Sequence, residues 1–197
     1  MDLVLATRNR DKVREIAEIL SIHRFQILSL LDFPQLPPVV EDGKSLDENA
    51  LKKARTCFER TKKPCLADDT GLEVEALDGR PGLYSSRYAG PGATYADNLR
   101  KLLREMEGVP EEKRGATFRC VVVIVDSRGE VHRGEGSLKG RIGAESIGAD
   151  GFGYDPVFYV SSIGKTLAEL TLAEKNRISH RSMAVRSAVE SWIGAGR

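Results

Sequence analysis

Two adjacent carboxylates, Asp68 and Asp69, close the apolar run "PCLA" and are followed by Thr70 and Gly71. If residues 65–67 are a strand, successive side chains point to opposite faces, so the two aspartates do different work and only one faces a given ligand. A carboxylate at a strand end suits Mg2+, a hard ion usually held by one or two carboxylates together with phosphate oxygens and water. Such a carboxylate, or its neighbour, can also deprotonate a water. A competing reading has Asp69 serving a turn made by Thr70 and Gly71. "DTG" matches the short signature of aspartic proteases as well, but that chemistry needs two such loops sharing a proton. The chain has no second D-T-G or D-S-G, so only a symmetric dimer could complete the dyad.

Residues 7–12, "TRNRDK", lie between an apolar run and an amphipathic stretch. A strand-to-helix loop presents unpaired N–H groups and the positive end of the helix dipole, which favour an anion. Arg8, Arg10 and Lys12 add cationic donors. Lys12 in a first helical turn opposes the macrodipole, a poor choice for the helix and a good one for a bound phosphate. The alternative leaves Lys12 and Arg14 in solvent, with Asp11 as an ordinary N-cap. In "EDGKSLDENA", helix capping accounts for Asp47 and Glu48; Glu41 and Asp42 have no such duty and are either a second metal ligand or part of a solvated loop. "GADGFGYDPVF" reads as a tight loop whose Phe152 and Tyr154 either stack on a flat ring or pack in the core. Lys175, Arg177, His180 and Arg181 form a basic cluster before the last helix.

The elements that hold these groups follow from periodicity. Residues 2–6 read as a buried strand, and Val13, Ile16, Ala17 and Leu20 as the stripe of a first helix. "RFQIL" is a second strand. Ser45 and Glu48 have capping-box spacing at the start of a second helix. A third helix follows Thr94, with Leu99, Leu102, Leu103 and Met106 on one side. "ATFRCVVVIV" alternates and is β-branched, "DSRG" is a hairpin turn into "EVHRGEGSL", and a last helix follows Ser179. No repeat, linker or low-complexity tract divides the chain, so residues 1–197 are expected to form one α/β domain with a mixed sheet packed by helices.

Composition narrows the class. Thirty Lys plus Arg against twenty-nine Asp plus Glu leave a net charge of +1, not the balance of a chain that coats a nucleic-acid polymer or an anionic membrane. The opening run, residues 3–6, is too short for a signal peptide or a membrane span, so a cytoplasmic protein is expected. Cys57, Cys65 and Cys120 lack C-x-x-C spacing and lie in apolar segments, which reads as buried reduced thiols rather than disulfide or metal ligands.

Taken in order, "LATRNRDKVREI", "VVEDGKSLDENALKKA", "ADDTGLEVEALDGRPGLYSSRYAG", "GFGYDPVF", "GKTLAEL" and "KNRISHR" closely resemble the inosine triphosphate pyrophosphatase family, which cleanses nucleotide pools of non-standard purine triphosphates such as ITP, dITP and XTP. The resemblance covers nearly the whole chain. It implies an elongated, mixed and twisted sheet flanked by helices, two lobes with a central cleft, Mg2+ dependence and a homodimer. It implies that Thr7, Arg8, Asn9, Arg10, Asp11, Lys12 and Lys53 hold the triphosphate, that Asp69 is general base and metal ligand, and that Thr70 touches substrate. Phe152, Gly153, Tyr154, Asp155, Lys175, His180 and Arg181 are implied to surround the nucleoside. Two departures stand out. The family loop commonly reads T-G-N-x-G-K, and Arg8 and Asp11 replace its glycines. The acidic pair ahead of the family glycine corresponds here to Val40 and Glu41, so Glu41 is expected as the second metal carboxylate. A nucleotide-binding protein without catalysis, and a neighbouring pyrophosphatase family with a similar fold, are the alternatives.

Overall fold

The computed structural model describes residues 1–195; residues 196 and 197, the end of the expected single-domain range, lie outside the described residues. The elements run β1 (Asp2–Leu5), α1 (Arg10–Leu20), β2 (Gln26–Ser29), α2 (Leu46–Thr61), β3 (Cys65–Val74), β4 (Pro81–Gly82), α3 (Tyr95–Glu105), β5 (Gly115–Val125), β6 (Val131–Ile142), β7 (Phe158–Val160), β8 (Lys165–Thr166), α4 (Leu172–Ile178) and α5 (His180–Ala195). Strands hydrogen-bond in the order β2-β1-β3-β5-β6-β7-β8, with β4 on β3. β1 is parallel to β2 and β3, whereas β3–β4, β6–β7 and β7–β8 are antiparallel. This is the mixed sheet with helices that the alternating pattern predicts. Among the described residues no helix is long and apolar enough to cross a membrane.

The chain forms two compact units: Met1–Asp69, Cys120–Gly136 and Ser179–Arg197 make the first, Thr70–Arg119 and Ser137–Ile178 the second. In the first unit the period-2 rule sorts the apolar residues of β1, β3 and β5 onto two cores. Leu3, Leu5, Leu66, Cys120, Val122 and Ile124 join Ile16 and Ile19 of α1 and Val185 and Val189 of α5. Val4, Ala6, Cys65, Ala67, Val121, Val123 and Val125 join Ala50, Ala54 and Cys57 of α2. Glycine lets α5 come close to β6: a Cβ on Gly134 would lie 2.2 Å from the Ala184 carbonyl oxygen, and one on Gly136 2.1 Å from that of His180.

The second unit has one core, in which Leu72, Val74, Leu102, Met106, Phe118, Ile142, Val157, Phe158 and Leu167 meet. Thr94 caps α3 with a reciprocal box to Asp97. The buried Arg114 guanidinium donates to the carbonyls of Met106, Val109, Ile142 and Gly143 at 2.9, 3.1, 2.7 and 2.7 Å, tying the end of α3 to the end of β6.

Four local expectations change. β3 does not stop at Ala67; it continues through Asp68, Asp69, Thr70 and Gly71 to Val74, because Leu72 and Val74 keep the alternation going. Thr70 and Gly71 therefore make no turn, and Gly71 is glycine for another reason: a Cβ there would sit 2.8 Å from the Gly82 carbonyl oxygen of β4. The N-cap of α1 is Asn9 rather than Asp11, its side chain accepting from the amides of Asp11 and Lys12. Ser45 caps α2 as expected, but the Glu48 carboxylate accepts from the Lys44 amide rather than closing the box on Ser45. β2 begins at Gln26, later than the "RFQIL" run.

Candidate active site

β3 carries Asp68 and Asp69 through the middle of the first unit's sheet, and strand parity separates them. Asp69 shares the face of Cys65 and Ala67 and meets α2; Asp68 shares the face of Leu66 and meets α1 and α5. On α2, Asn49, Lys53 and Cys57 fall at i, i+4 and i+8 along the buried side, so three successive turns face β3.

Lys53 Nζ lies 2.9 Å from Asp69 Oδ1 and 2.9 Å from Glu41 Oε1. Asn49 Nδ2 donates to Asp69 Oδ2 at 3.2 Å, and Asn49 Oδ1 accepts from the Gly43 amide at 2.9 Å. Asn49 thus ties the 41–43 loop to Asp69, and a Cβ at Gly43 would be 2.7 Å from its Oδ1. Asp42 turns the other way, to Lys52 at 2.5 Å on the surface. Of the two loop acids, Glu41 is the one brought to Lys53. Burial raises the Asp69 carboxyl, aided by the Glu41 charge and opposed by Lys53. Burial pulls Lys53 down, yet Asp69, Asp68 and Glu41 together hold it above the ordinary lysine range.

Asp68 is buried, with Lys12 Nζ 2.9 Å and Arg181 Nε 3.2 Å from its Oδ2. Arg181 also donates to Glu15, so two carboxylates share one guanidinium in the core. Burial raises the Asp68 carboxyl, but Lys12, Arg181 and Lys53 outweigh it and hold the group far below the carboxylate range. Arg181, expected beside the nucleoside, has a guanidinium 3% exposed that pairs with Asp68 and Glu15 within this unit. A buried carboxylate requires such a countercharge.

The rest of the "TRNRDK" loop is organised locally. Thr7 Oγ1 accepts from the Asn9 amide at 3.1 Å. Arg8, in a position where the family commonly has glycine, donates to the carbonyl of Leu36 and, at 3.4 Å, to that of Phe33, fastening the proline-rich loop. Arg10 is exposed at the first turn of α1, beside the half-buried Asp11 and Lys12. His180 is buried at the start of α5.

The second unit gathers the other predicted residues. Lys175 and Asp155, 2% and 3% exposed, form a buried ion pair. Asp155 Oδ2 also accepts from the Phe152 amide at 2.7 Å, and Lys175 Nζ lies 4.9 Å from the centre of the Phe152 ring. Tyr154 is a core residue whose hydroxyl donates to the Ser85 carbonyl at 2.9 Å. Gly153 adopts φ 66°, a conformation that favours glycine. Thr70 lies half-buried on β3. Asn49 and Glu15 were missed by reading the sequence. For Asn49 the available signal was a polar side chain one turn from Lys53 on a face otherwise made of Ala and Cys; for Glu15 there was none without knowing where Arg181 falls.

A family model described as the Ham1 family matches residues 3–191. The chain is 52% identical over 183 residues to the dITP/XTP pyrophosphatase of Geobacter sulfurreducens, covering 93% of this chain and 92% of that one. It is 46% identical over 191 residues to the protein of the same name from Geobacillus kaustophilus, covering 97% and 94%. Among solved structures, a HAM1 protein from Coxiella burnetii superposes with a TM-score of 0.85 at 38% identity over 100% of both chains. The nucleoside-triphosphatase / dITP/XTP pyrophosphatase of Mycobacterium abscessus gives 0.72 at 40% identity, covering 92% of this chain and 95% of that one.

Proposed function

The chain belongs to the Ham1 family, and from that premise we propose that it hydrolyses non-standard purine nucleoside triphosphates, ITP, dITP and XTP, to the nucleoside monophosphate and pyrophosphate. The observation that carries the reading is the meeting of Asp69, Glu41 and Lys53 on one face of β3. In this reading Asp69 takes a proton from a water while the water oxygen attacks the α-phosphorus. The bond to the bridging oxygen breaks, and pyrophosphate leaves. Burial keeps the Asp69 carboxyl above the usual range, which improves it as a base, and Asn49 holds its second oxygen in a fixed direction. Lys53 and Lys12 supply positive charge to a triphosphate from the α2 and α1 sides of β3.

Glu41 and Asp69 converge on one cation, the Lys53 ammonium, and offer hard oxygen donors, so the pair fits Mg2+. Bound there, the ion would neutralise charge on phosphate oxygens. In the second unit, the Lys175 ammonium, balanced by Asp155, is the proposed donor to a purine 6-oxo group, and the Phe152 ring a surface for the base. A site built around such a donor rejects adenine, whose 6-amino group is itself a donor. The proposal includes a homodimer, as the family resemblance implies, and a cytoplasmic setting, which the burial of Cys57, Cys65 and Cys120 as reduced cysteines supports.

The test is product analysis with ITP and Mg2+. IMP with pyrophosphate, and a specificity constant for ITP well above that for ATP, is the expected result. IDP with phosphate, or intact ITP, overturns the proposal.

A further inference from the structure

The seam that holds Asp69 contains a second chemical feature, one turn beyond Lys53. Cys57 of α2 and Cys65 of β3 are free and buried, and their sulfurs lie 2.7 Å apart. They meet for the same reason that Lys53 meets Asp69. Asn49, Lys53 and Cys57 descend one side of the helix, while Cys65, Ala67 and Asp69 alternate along the facing strand. A disulfide has sulfurs about 2.05 Å apart, so closure asks for well under an ångström of movement. Cys120 sits on the other face of the sheet, in the core with α1 and α5.

We propose that Cys57 and Cys65 are a site of reversible oxidative modification, closing to a disulfide with a peroxide as oxidant and stapling α2 to β3 beside Asp69. Their environment gives the two sulfurs unequal roles. The hydrogen bond between the two sulfurs holds Cys65 below the ordinary thiol range and pushes Cys57 up. In the proposed sequence the Cys65 sulfur attacks first. It forms an S–O bond as the peroxide O–O bond breaks and water leaves, giving a sulfenic acid. The Cys57 sulfur then attacks the Cys65 sulfur, the S–O bond breaks, and a second water leaves. Two thiols and one hydrogen peroxide become one disulfide and two waters, with two electrons passing from the sulfurs to the peroxide. Access comes from the end of α2. Cys57 lies in the last turns of the helix, Thr61 Oγ1 is 3.4 Å from Cys65 Sγ, and the exposed Lys62 that follows is in the left-handed region at φ 56°. Helix ends of this kind open locally.

The experiment is a hydrogen peroxide titration of the whole protein, quenched by alkylation in denaturant and read by peptide mass spectrometry. A Cys57–Cys65 linked peptide is expected, within a single chain, with Cys120 still alkylated. The oxidised protein is expected to melt about 5 °C higher, and dithiothreitol to reverse both changes. The Cys57→Ser variant should give no link and should accumulate oxygen acids on Cys65. The exposed Met183 is an internal control. If Met183 becomes the sulfoxide while Cys57 and Cys65 remain alkylatable, or if wild-type Cys65 goes to the sulfinic acid without a link, the proposal fails. None of these readouts depends on the hydrolytic activity.

Discussion

Replacing Asp69 by Asn keeps the shape of the side chain and removes its capacity to take a proton. On the proposed mechanism kcat should fall about 10²- to 10⁴-fold, the range for general base catalysis, with little change in melting temperature; near-normal turnover in D69N would sink the assignment. Asn49 acts at one remove, through Asp69 Oδ2 and the Gly43 amide. Asn49→Ala should lower kcat about tenfold, the equivalent of one hydrogen bond lost from an aligned group, and leave KM nearly unchanged. A larger effect on KM would place Asn49 in substrate binding instead. Arg181 serves a different end. Arg181→Met removes the countercharge that Asp68 and Glu15 share and leaves Asp68 to Lys12, and urea unfolding should register a loss of about 3–5 kcal/mol.

Two helices give predictions that belong to elements rather than to single groups. The cap of α3 rests on Asp97, whose carboxyl is held at about 2 by the Thr94 hydroxyl and amide and by Arg100. A group depressed on folding stabilises fully above its unfolded value, near 4, and that contribution is lost as pH falls through about 2. Asp97→Asn should therefore melt below the wild type at pH 6, with the two curves converging by pH 2; a constant gap across that window would mean the charge is irrelevant to the cap. For α5, the close contact with β6 is the issue. Gly134→Ala pushes a methyl into the Ala184 carbonyl and the Ala188 amide, so a loss of about 1–3 kcal/mol or more is expected, measured by denaturant unfolding. The capping of α2 by Ser45 and the start of α3 after Thr94 were legible from the sequence because helix-start signals act over three or four residues. The continuation of β3 past Ala67 was not: "DDTG" looks like a turn until β4 comes alongside Gly71.

At the scale of the whole molecule, chelation should abolish turnover of ITP and added Mg2+ restore it, while circular dichroism stays the same. Activity persisting in excess chelator would remove the metal from the mechanism. Light scattering should give twice the 21.7 kDa chain mass if the dimer proposal holds. The resemblance to a nucleotide pyrophosphatase family was visible from six ordered segments, and the family match over residues 3–191 agrees with it.

By itself the sequence determined the kinds of chemistry available: carboxylates after an apolar strand, cations near a helix start, an acidic loop before a capped helix. It also determined that Asp68 and Asp69 would face apart, because strand periodicity is local and needs no knowledge of neighbours. Only the tertiary structure decided which face met which helix. That choice gave Asp69 to Asn49 and Lys53, and Asp68 to Lys12 and Arg181, and it preferred Glu41 over Asp42. It also brought Cys57 to Cys65, a pair whose spacing matches no cysteine motif. Periodicity and capping act within a few residues, whereas Arg181 reaches Asp68 across 113 positions and Glu15 across 166, distances that only the strand order of the sheet and the packing of α1 and α5 can close.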